Sequence, residues 1–252
     1  MTQVLRIDLN ADVAEAYGQD AALLQIVSSA NVCCGLHAGS AVTTYQTLQF
    51  AKQHGVRVGA HPSYDDRANF GRTNQNLSDD DVTAVLTYQL GAIQALCQQD
   101  GIPLSYVKPH GALYNQAAKD PHLAAVVARA IQAFDTNLSV MALSGGALID
   151  AARAIGLAVE SEVFADRRYE DNGALVARSQ PHAVIEDDDE ALAQVLQMIT
   201  QGTVTSVHGK TVRVQADSIC LHGDSAHAVA FARRIFATLN ERGIRIAAPN
   251  RV

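Results

Sequence analysis

Short apolar runs rich in β-branched residues alternate along the chain with longer stretches of helical periodicity, the pattern of βα units around a parallel sheet. Runs over 4–9, 30–34, 56–60, 105–108, 138–143, 158–163 and 218–221 predict seven strands. Stretches over 20–28, 43–54, 79–99, 121–133, 147–155, 188–201 and 226–242 predict the helices between them. Boundary signals agree: Ser78 precedes the acidic turn Asp79, Asp80, Asp81, and Gly55, Gly101, Gly156, Gly202 and Gly243 fall where helix C-caps belong. Two polar stretches, 63–76 and 166–182, break the alternation and read as functional lids or as plain surface loops. The segment 203–214 reads as a hairpin turning at His208-Gly209.

Almost every predicted strand leads into chemically capable residues. The first carries Asp8, Asn10, Asp12 and Glu15, and the second runs into Asn31 and His37. His61 ends the third, Lys108 and His110 the fourth, His222 and Asp224 the last. In a (β/α) barrel the C-terminal strand ends meet at one mouth, so residues far apart in sequence would converge there. Period-two alternation puts Leu5, Ile7 and Leu9 on one face, toward the outer helices, and Asp8, Asn10 and Asp12 on the other, inside the barrel. Any single Asp is more often a turn or backbone acceptor; repetition over five strand ends favours a site.

His61, His110 and His222 each follow an apolar strand and adjoin Pro or Gly, which singles them out from His54, His122, His182 and His208. Histidines with carboxylates can hold a divalent metal, but the spacing is not diagnostic, and an acid-base network fits equally well. Cys33 and Cys34 read as small buried core residues ahead of a thiolate nucleophile. Gly209-Lys210-Thr211 is no P-loop, because Val204 stands where its partner glycine belongs, and Ser144-Gly145-Gly146 offers at most a weak anion turn.

With 252 residues and 48% hydrophobic content, the chain suits one barrel domain over 1–252. A net charge of −7 without a basic cluster excludes a nucleic-acid partner. No apolar run reaches membrane-spanning length, the N-terminal stretch lacks a secretory core, and four cysteines do not make a disulfide framework, so a cytoplasmic protein is expected.

The strand-end motifs carry a resemblance that spans nearly the whole chain. Asp8-Leu9-Asn10 with Asp12 and Glu15, SSANVCCGLHAG, GAHPSYDDRANFGR, VKPHGALYN, EVFADR, RSQP and CLHGD resemble the LamB/YcsF family, whose characterised bacterial members are the A-type component of 5-oxoprolinase. Where that family often reads Cys-Asp-Leu-Gly-Glu, this chain has Ala11-Asp12-Val13-Ala14-Glu15, and Ser40 stands where an Asp commonly follows the HAG motif. The resemblance implies an irregular seven-stranded (β/α) barrel, TIM-like and of the glycoside hydrolase and deacetylase type. It also implies ATP-coupled opening of 5-oxo-L-proline to L-glutamate, together with two partner subunits of the B and C type.

On this reading Asp12, Glu15, His61 and His110 polarise or deprotonate, and Lys108 stabilises developing negative charge. Arg72 or Arg167 forks onto the substrate carboxylate, with Asn10, Asn31, His37, His222 and Asp224 as further substrate contacts. ATP is used by the complex, since this sequence offers no convincing phosphate loop. Two alternatives differ in kind: a metal-dependent, deacetylase-like amidohydrolase acting alone, and a non-catalytic carboxylate-binding subunit.

Overall fold

A computed structural model of the chain describes residues 5–221 and 228–249. In chain order its elements are β1 (Arg6–Val13), α1 (Asp20–Leu23), β2 (Ser29–Cys33), α2 (Ala41–His54), β3 (Arg57–His61), α3 (Asp79–Gln99), β4 (Leu104–Val107), α4 (Gly111–Ala117) and α5 (Pro121–Phe134). They continue with β5 (Ser139–Leu143), α6 (Ala147–Ala154), β6 (Val159–Phe164), α7 (Asp188–Gln201), β7 (Thr203–Thr205), β8 (Thr211–Arg213), β9 (Ser218–Leu221), α8 (Ala228–Glu241) and β10 (Arg245–Ile246).

Seven parallel strands, in the order β1, β2, β3, β4, β5, β6, β9, form a ring that closes where β9 returns to β1. The closing register sets Asp8 opposite Ser218 and Asn10 opposite Cys220. Two residues of β10 extend the outer end of β1, and β7 with β8 forms the expected separate hairpin, antiparallel from Thr203 opposite Arg213 to Thr205 opposite Thr211. This is the irregular seven-stranded TIM-like barrel that the family resemblance implies, built of the βα units that the alternating pattern predicts.

Outward strand residues such as Leu9, Val32, Val58, Val107, Val140, Val163 and Ile219 are all but fully buried in one apolar cluster with helix residues including Leu86, Leu90, Ile93, Val127, Ile131, Val195 and Leu239. Each such side chain contributes roughly 1.5–3 kcal/mol by leaving water, so this outer layer, and not the barrel interior, is the apolar core. Helix boundaries follow local chemistry: Ser78 Oγ accepts the Asp81 N–H at the start of α3, and Asp120 accepts the His122 and Leu123 N–H groups ahead of Pro121 in α5.

Four boundaries differ from expectation. The first strand runs on to Val13, so Asn10 and Asp12 lie within it; Leu5 precedes it and is 47% exposed instead of packing on helices. The helix expected over 20–28 stops at Leu23, because Ser28 is recruited to β1, accepting the Leu9 N–H and donating to Asp8. Helix α4 escaped notice because Pro109 and Gly111 mask its seven residues. The two-residue β10 is too short to leave a period. Residues His222 and Asp224 lie outside the described residues. No described helix is long and apolar enough to cross a membrane.

Candidate active site

The interior of the ring is largely polar, and its chemistry changes with height. At the N-terminal strand ends, Asp8 accepts hydrogen bonds from Ser28, Ser29 and Ser218. Burial pushes its carboxyl above the usual carboxylate range, against the pull of those three hydroxyls and the Arg57 charge. Beside it Arg57 forks onto Glu160, which also accepts from Ser139, while the guanidinium lies 4.4 Å above the Tyr106 ring. Here charges meet opposite charges.

At mid-height Tyr106 crosses the barrel and donates to Asn31 Oδ1 at 2.6 Å. The crossing requires Gly59, since a Cβ there would stand 2.3 Å from the Tyr106 ring. Asn31 donates to both Asn10 and Asp12, and Asn10 donates to Ser218. Lys108, 2% exposed, directs its ammonium at Asn10 (3.2 Å), Asp12 (3.0 Å) and Cys220 (3.2 Å). Glu162 stands 2.7 Å away in an ion pair and accepts from the Tyr114 hydroxyl at 2.8 Å. Burial alone would discharge this lysine, but Asp12, Cys220 and Glu162 outweigh it and hold its pKa well above the usual range. Lys108 is therefore a fixed cation with its three N–H bonds engaged.

At the C-terminal mouth the histidines and carboxylates converge. Glu15 Oε1 lies 2.9 Å from His37 Nε2, 3.4 Å from His110 Nδ1 and 3.8 Å from His61 Nε2. Asp12 Oδ2 lies 3.4 Å from His61 Nε2. The His61 and His110 rings meet Nε2 to Nδ1 at 3.0 Å, and His37 stacks on His110 with centroids 3.8 Å apart. Burial first, then neighbouring His61, pulls His37 down to about 3 and His110 well below the ordinary imidazole range, so both are neutral at pH 7. The four residues Glu15, His37, His61 and His110 are buried and close enough to hold a metal ion.

Two backbone features build this mouth. Ala14 and Ala16 flank Glu15 with φ of 63° and 68°, a left-handed conformation that costs a non-glycine residue on the order of 1–2 kcal/mol. Asp20 anchors the bend by accepting the Ala14 N–H and the Thr47 hydroxyl. The loop over 63–76 crosses at Gly71, where a Cβ would come within 2.9 Å of both His110 and His37.

Above the cluster opens a cavity of about 730 Å³, within the size range of small-molecule sites, lined by Asp12, Glu15, His61, Arg72, Lys108, His110, Tyr114, Phe164, Arg167 and Arg178 among others. All five expected catalytic residues and both candidate arginines thus reach one wall. Arg72 sits 4.9 Å over the Phe70 ring; Arg167 is buried, donates to the Val176 carbonyl, and is lowered to about 10 by burial and by Arg178. Asn10, Asn31 and His37, expected as substrate contacts, stand behind the wall and hold Asp12, Lys108 and Glu15 in place. Glu162 and Tyr114 were missed, although Glu160 and Glu162 repeat in the sixth strand the alternation that exposed Asp8, Asn10 and Asp12 in the first.

The remaining motifs are absorbed structurally. Cys33 is buried and its thiol pushed up to about 12, which ends the nucleophile reading for it. Ser144 Oγ accepts the Gln215 N–H, and Lys210 lies at the hairpin. His122 pairs with Asp79 and His208 with Asp171 at the surface.

A closed parallel barrel with carboxylates, histidines and a buried lysine gathered under a cavity at its C-terminal mouth defines the class of (β/α)-barrel proteins whose active site lies at that end. The chain belongs to the LamB/YcsF family, which it matches over residues 7–252. It is 57% identical over 243 residues to the A-type component of 5-oxoprolinase from Neisseria meningitidis serogroup C, covering 96% of this chain and 99% of that one. It also superimposes on the lactam utilization protein from Thermus thermophilus with a TM-score of 0.91 at 40% identity, over 97% of this chain and all of the other. A family 4 carbohydrate esterase from Streptomyces lividans shares the fold alone, at 14% identity and a TM-score of 0.53, over 97% and 98% of the two chains.

Proposed function

We propose that this chain is the lactam-opening component of an ATP-dependent 5-oxoprolinase in the cytoplasm, hydrolysing 5-oxo-L-proline to L-glutamate together with two subunits of the B and C type. The observation that carries the reading is the cavity's division of labour. Acid-base groups (Asp12, Glu15, His61, His110) floor it, and Arg72, Arg167 and Arg178 line it. The names of its relatives point the same way. An arginine fork holds the ring carboxylate, with Arg72 and Arg167 as the candidates. The lactam carbonyl then faces the floor, where a carboxylate, Asp12 or Glu15, takes the proton from attacking water and returns one to the departing ring nitrogen, and His61 and His110 polarise the reacting groups. Lys108 acts through its field and by fixing Asp12, because its N–H bonds are already engaged.

Opening an unstrained five-membered lactam is unfavourable near neutral pH unless coupled to ATP. The glycine-lysine dipeptide Gly209-Lys210 lies at a hairpin instead of a phosphate-binding loop, which supports ATP activation by the partners. The four buried free cysteines suit a reducing compartment. The test is ATP-dependent glutamate release by the chain alone and with both partner subunits, which are expected to give negligible and clear turnover respectively. No turnover in the full mixture overturns the reading. ATP-independent hydrolysis of an N-acyl substrate by the single chain replaces it with the deacetylase-like one, and binding of 5-oxoproline without any gain in turnover replaces it with a carboxylate-binding role.

A further inference from the structure

His61 Nδ1 lies 2.7 Å from the Lys108 carbonyl oxygen, and His110 Nε2 lies 2.9 Å from the Phe70 carbonyl oxygen. A carbonyl only accepts, so both of these nitrogens carry a proton, which leaves His61 Nε2 and His110 Nδ1 as the ring nitrogens turned toward the floor of the cavity. Those two nitrogens stand 3.0 Å apart. Glu15 Oε1 joins them at 3.4 and 3.8 Å, and Asp12 Oδ2 at 3.4 Å. Two ring nitrogens and the Glu15 carboxylate thus crowd together under the cavity with Asp12 beside them, donor atoms of the kind and spacing that a bound cation uses.

We infer that the floor of the cavity is a divalent transition-metal site, with His61 Nε2, His110 Nδ1 and the Glu15 carboxylate as ligands and Asp12 at its edge as a fourth. Ligand atoms about 2.1 Å from an ion stand roughly 3.0 Å apart at right angles and roughly 3.4 Å apart in a tetrahedron; two of the three separations match, and the 3.8 Å between His61 and Glu15 must close by a few tenths of an ångström on binding. Two imidazoles with carboxylate oxygens favour zinc, manganese, cobalt or ferrous iron over magnesium or calcium. The surroundings are those of a metal shell. Each ligating ring is oriented by a backbone carbonyl through its other nitrogen, and His37 Nε2, 2.9 Å from Glu15, orients the carboxylate from behind. His37 is therefore a positioning residue, not a ligand. Its Nδ1 faces Cys33 Sγ at 3.7 Å, away from the cluster. Bound there, the ion supplies Lewis acidity beside the lactam carbonyl; only that use, not the binding, rests on the lactam-hydrolase reading.

The experiment uses the full chain without substrate or partners. After chelator treatment, metal content and thermal unfolding are measured with zinc, manganese, cobalt or magnesium added, and cobalt is followed by its visible absorption. The expected result is about one ion per chain, a melting temperature that rises with free ion, and a cobalt spectrum of mixed nitrogen and oxygen ligation. His61→Ala and His110→Ala should abolish the bound ion while keeping native circular dichroism. His37→Ala should retain it with affinity weaker by roughly 10- to 100-fold, as loss of an outer-shell partner does. His54→Ala should match the parent. A folded chain that takes up none of the four ions overturns the site, and so does full uptake by both His61→Ala and His110→Ala. Stoichiometric binding with no glutamate release by the three-subunit mixture leaves the site standing and removes the lactam-hydrolase reading instead.

Discussion

The two ends of the barrel interior use the same kinds of residue to opposite effect. At the N-terminal strand ends, Asp8 is met by three hydroxyls and Glu160 by Arg57 and Ser139. At the C-terminal ends, ring nitrogens of His61 and His110 crowd against each other and against the carboxylates of Glu15 and Asp12. A polar interior is thus not itself a sign of function; what separates the structural end from the reactive one is whether donors and acceptors match.

Glu160→Ala tests the lower end most severely. It leaves Arg57 largely buried beside an empty partner, and chemical unfolding should show a loss of about 3–5 kcal/mol with kcat/KM per folded molecule little changed. The upper end should respond in reverse: His61→Ala and His110→Ala each lower turnover of the complete mixture by roughly a hundredfold or more, in protein that still folds. If Glu160→Ala silenced turnover at undiminished stability, the contrast between the ends would not survive.

Arg167→Lys and Arg72→Lys ask where the substrate carboxylate sits. The true clamp should show KM higher by roughly tenfold with kcat nearly kept, because an ammonium cannot reproduce two parallel hydrogen bonds. Unchanged KM in both variants would pass the role to Arg178, which shares the cavity wall.

The smallest effect concerns pH at the lower end. Asp8 holds its proton more tightly folded than unfolded, so the folded state carries the extra proton between the ordinary carboxylate range and the raised pKa, and stability falls as pH rises through that window. Asn cannot titrate, so the stability gap between the parent and Asp8→Asn should narrow as pH rises above the ordinary carboxylate range. A gap independent of pH would show Asp8 ionised throughout.

The strands were legible because each places apolar residues outward, and the mouth because polar residues recur at strand ends. Depth was not legible. Period two tells which face a residue takes, not whether it lines a cavity or stands behind the wall, and so Asn10, Asn31 and His37 were grouped with the lining residues. Glu162 carried the same signal as Asp12 but within a largely apolar run. The fit of Tyr106 to Gly59 depends on a distance across the ring that no local pattern encodes. Ala14 stands where the family often has Gly, and its φ of 63° shows what that glycine accommodates; alanine at such an angle leaves no trace in the sequence.

The closure of β9 onto β1 has a consequence for how the chain is made. Asp8 and Ser218, which bond across that seam, are separated by 210 residues. At a synthesis rate of roughly 5–20 residues per second, one edge of β1 stays open for roughly 10–40 seconds after the strand has been built. Every residue of the histidine cluster has by then been synthesised, yet the ring that fixes their heights is still incomplete. Both open borders are sealed by β9, four of its residues pairing with β1 and three of those same four with β6. A nascent chain halted before residue 218 would therefore expose two unpaired strand edges at once, the kind of surface that recruits chaperones or other strands.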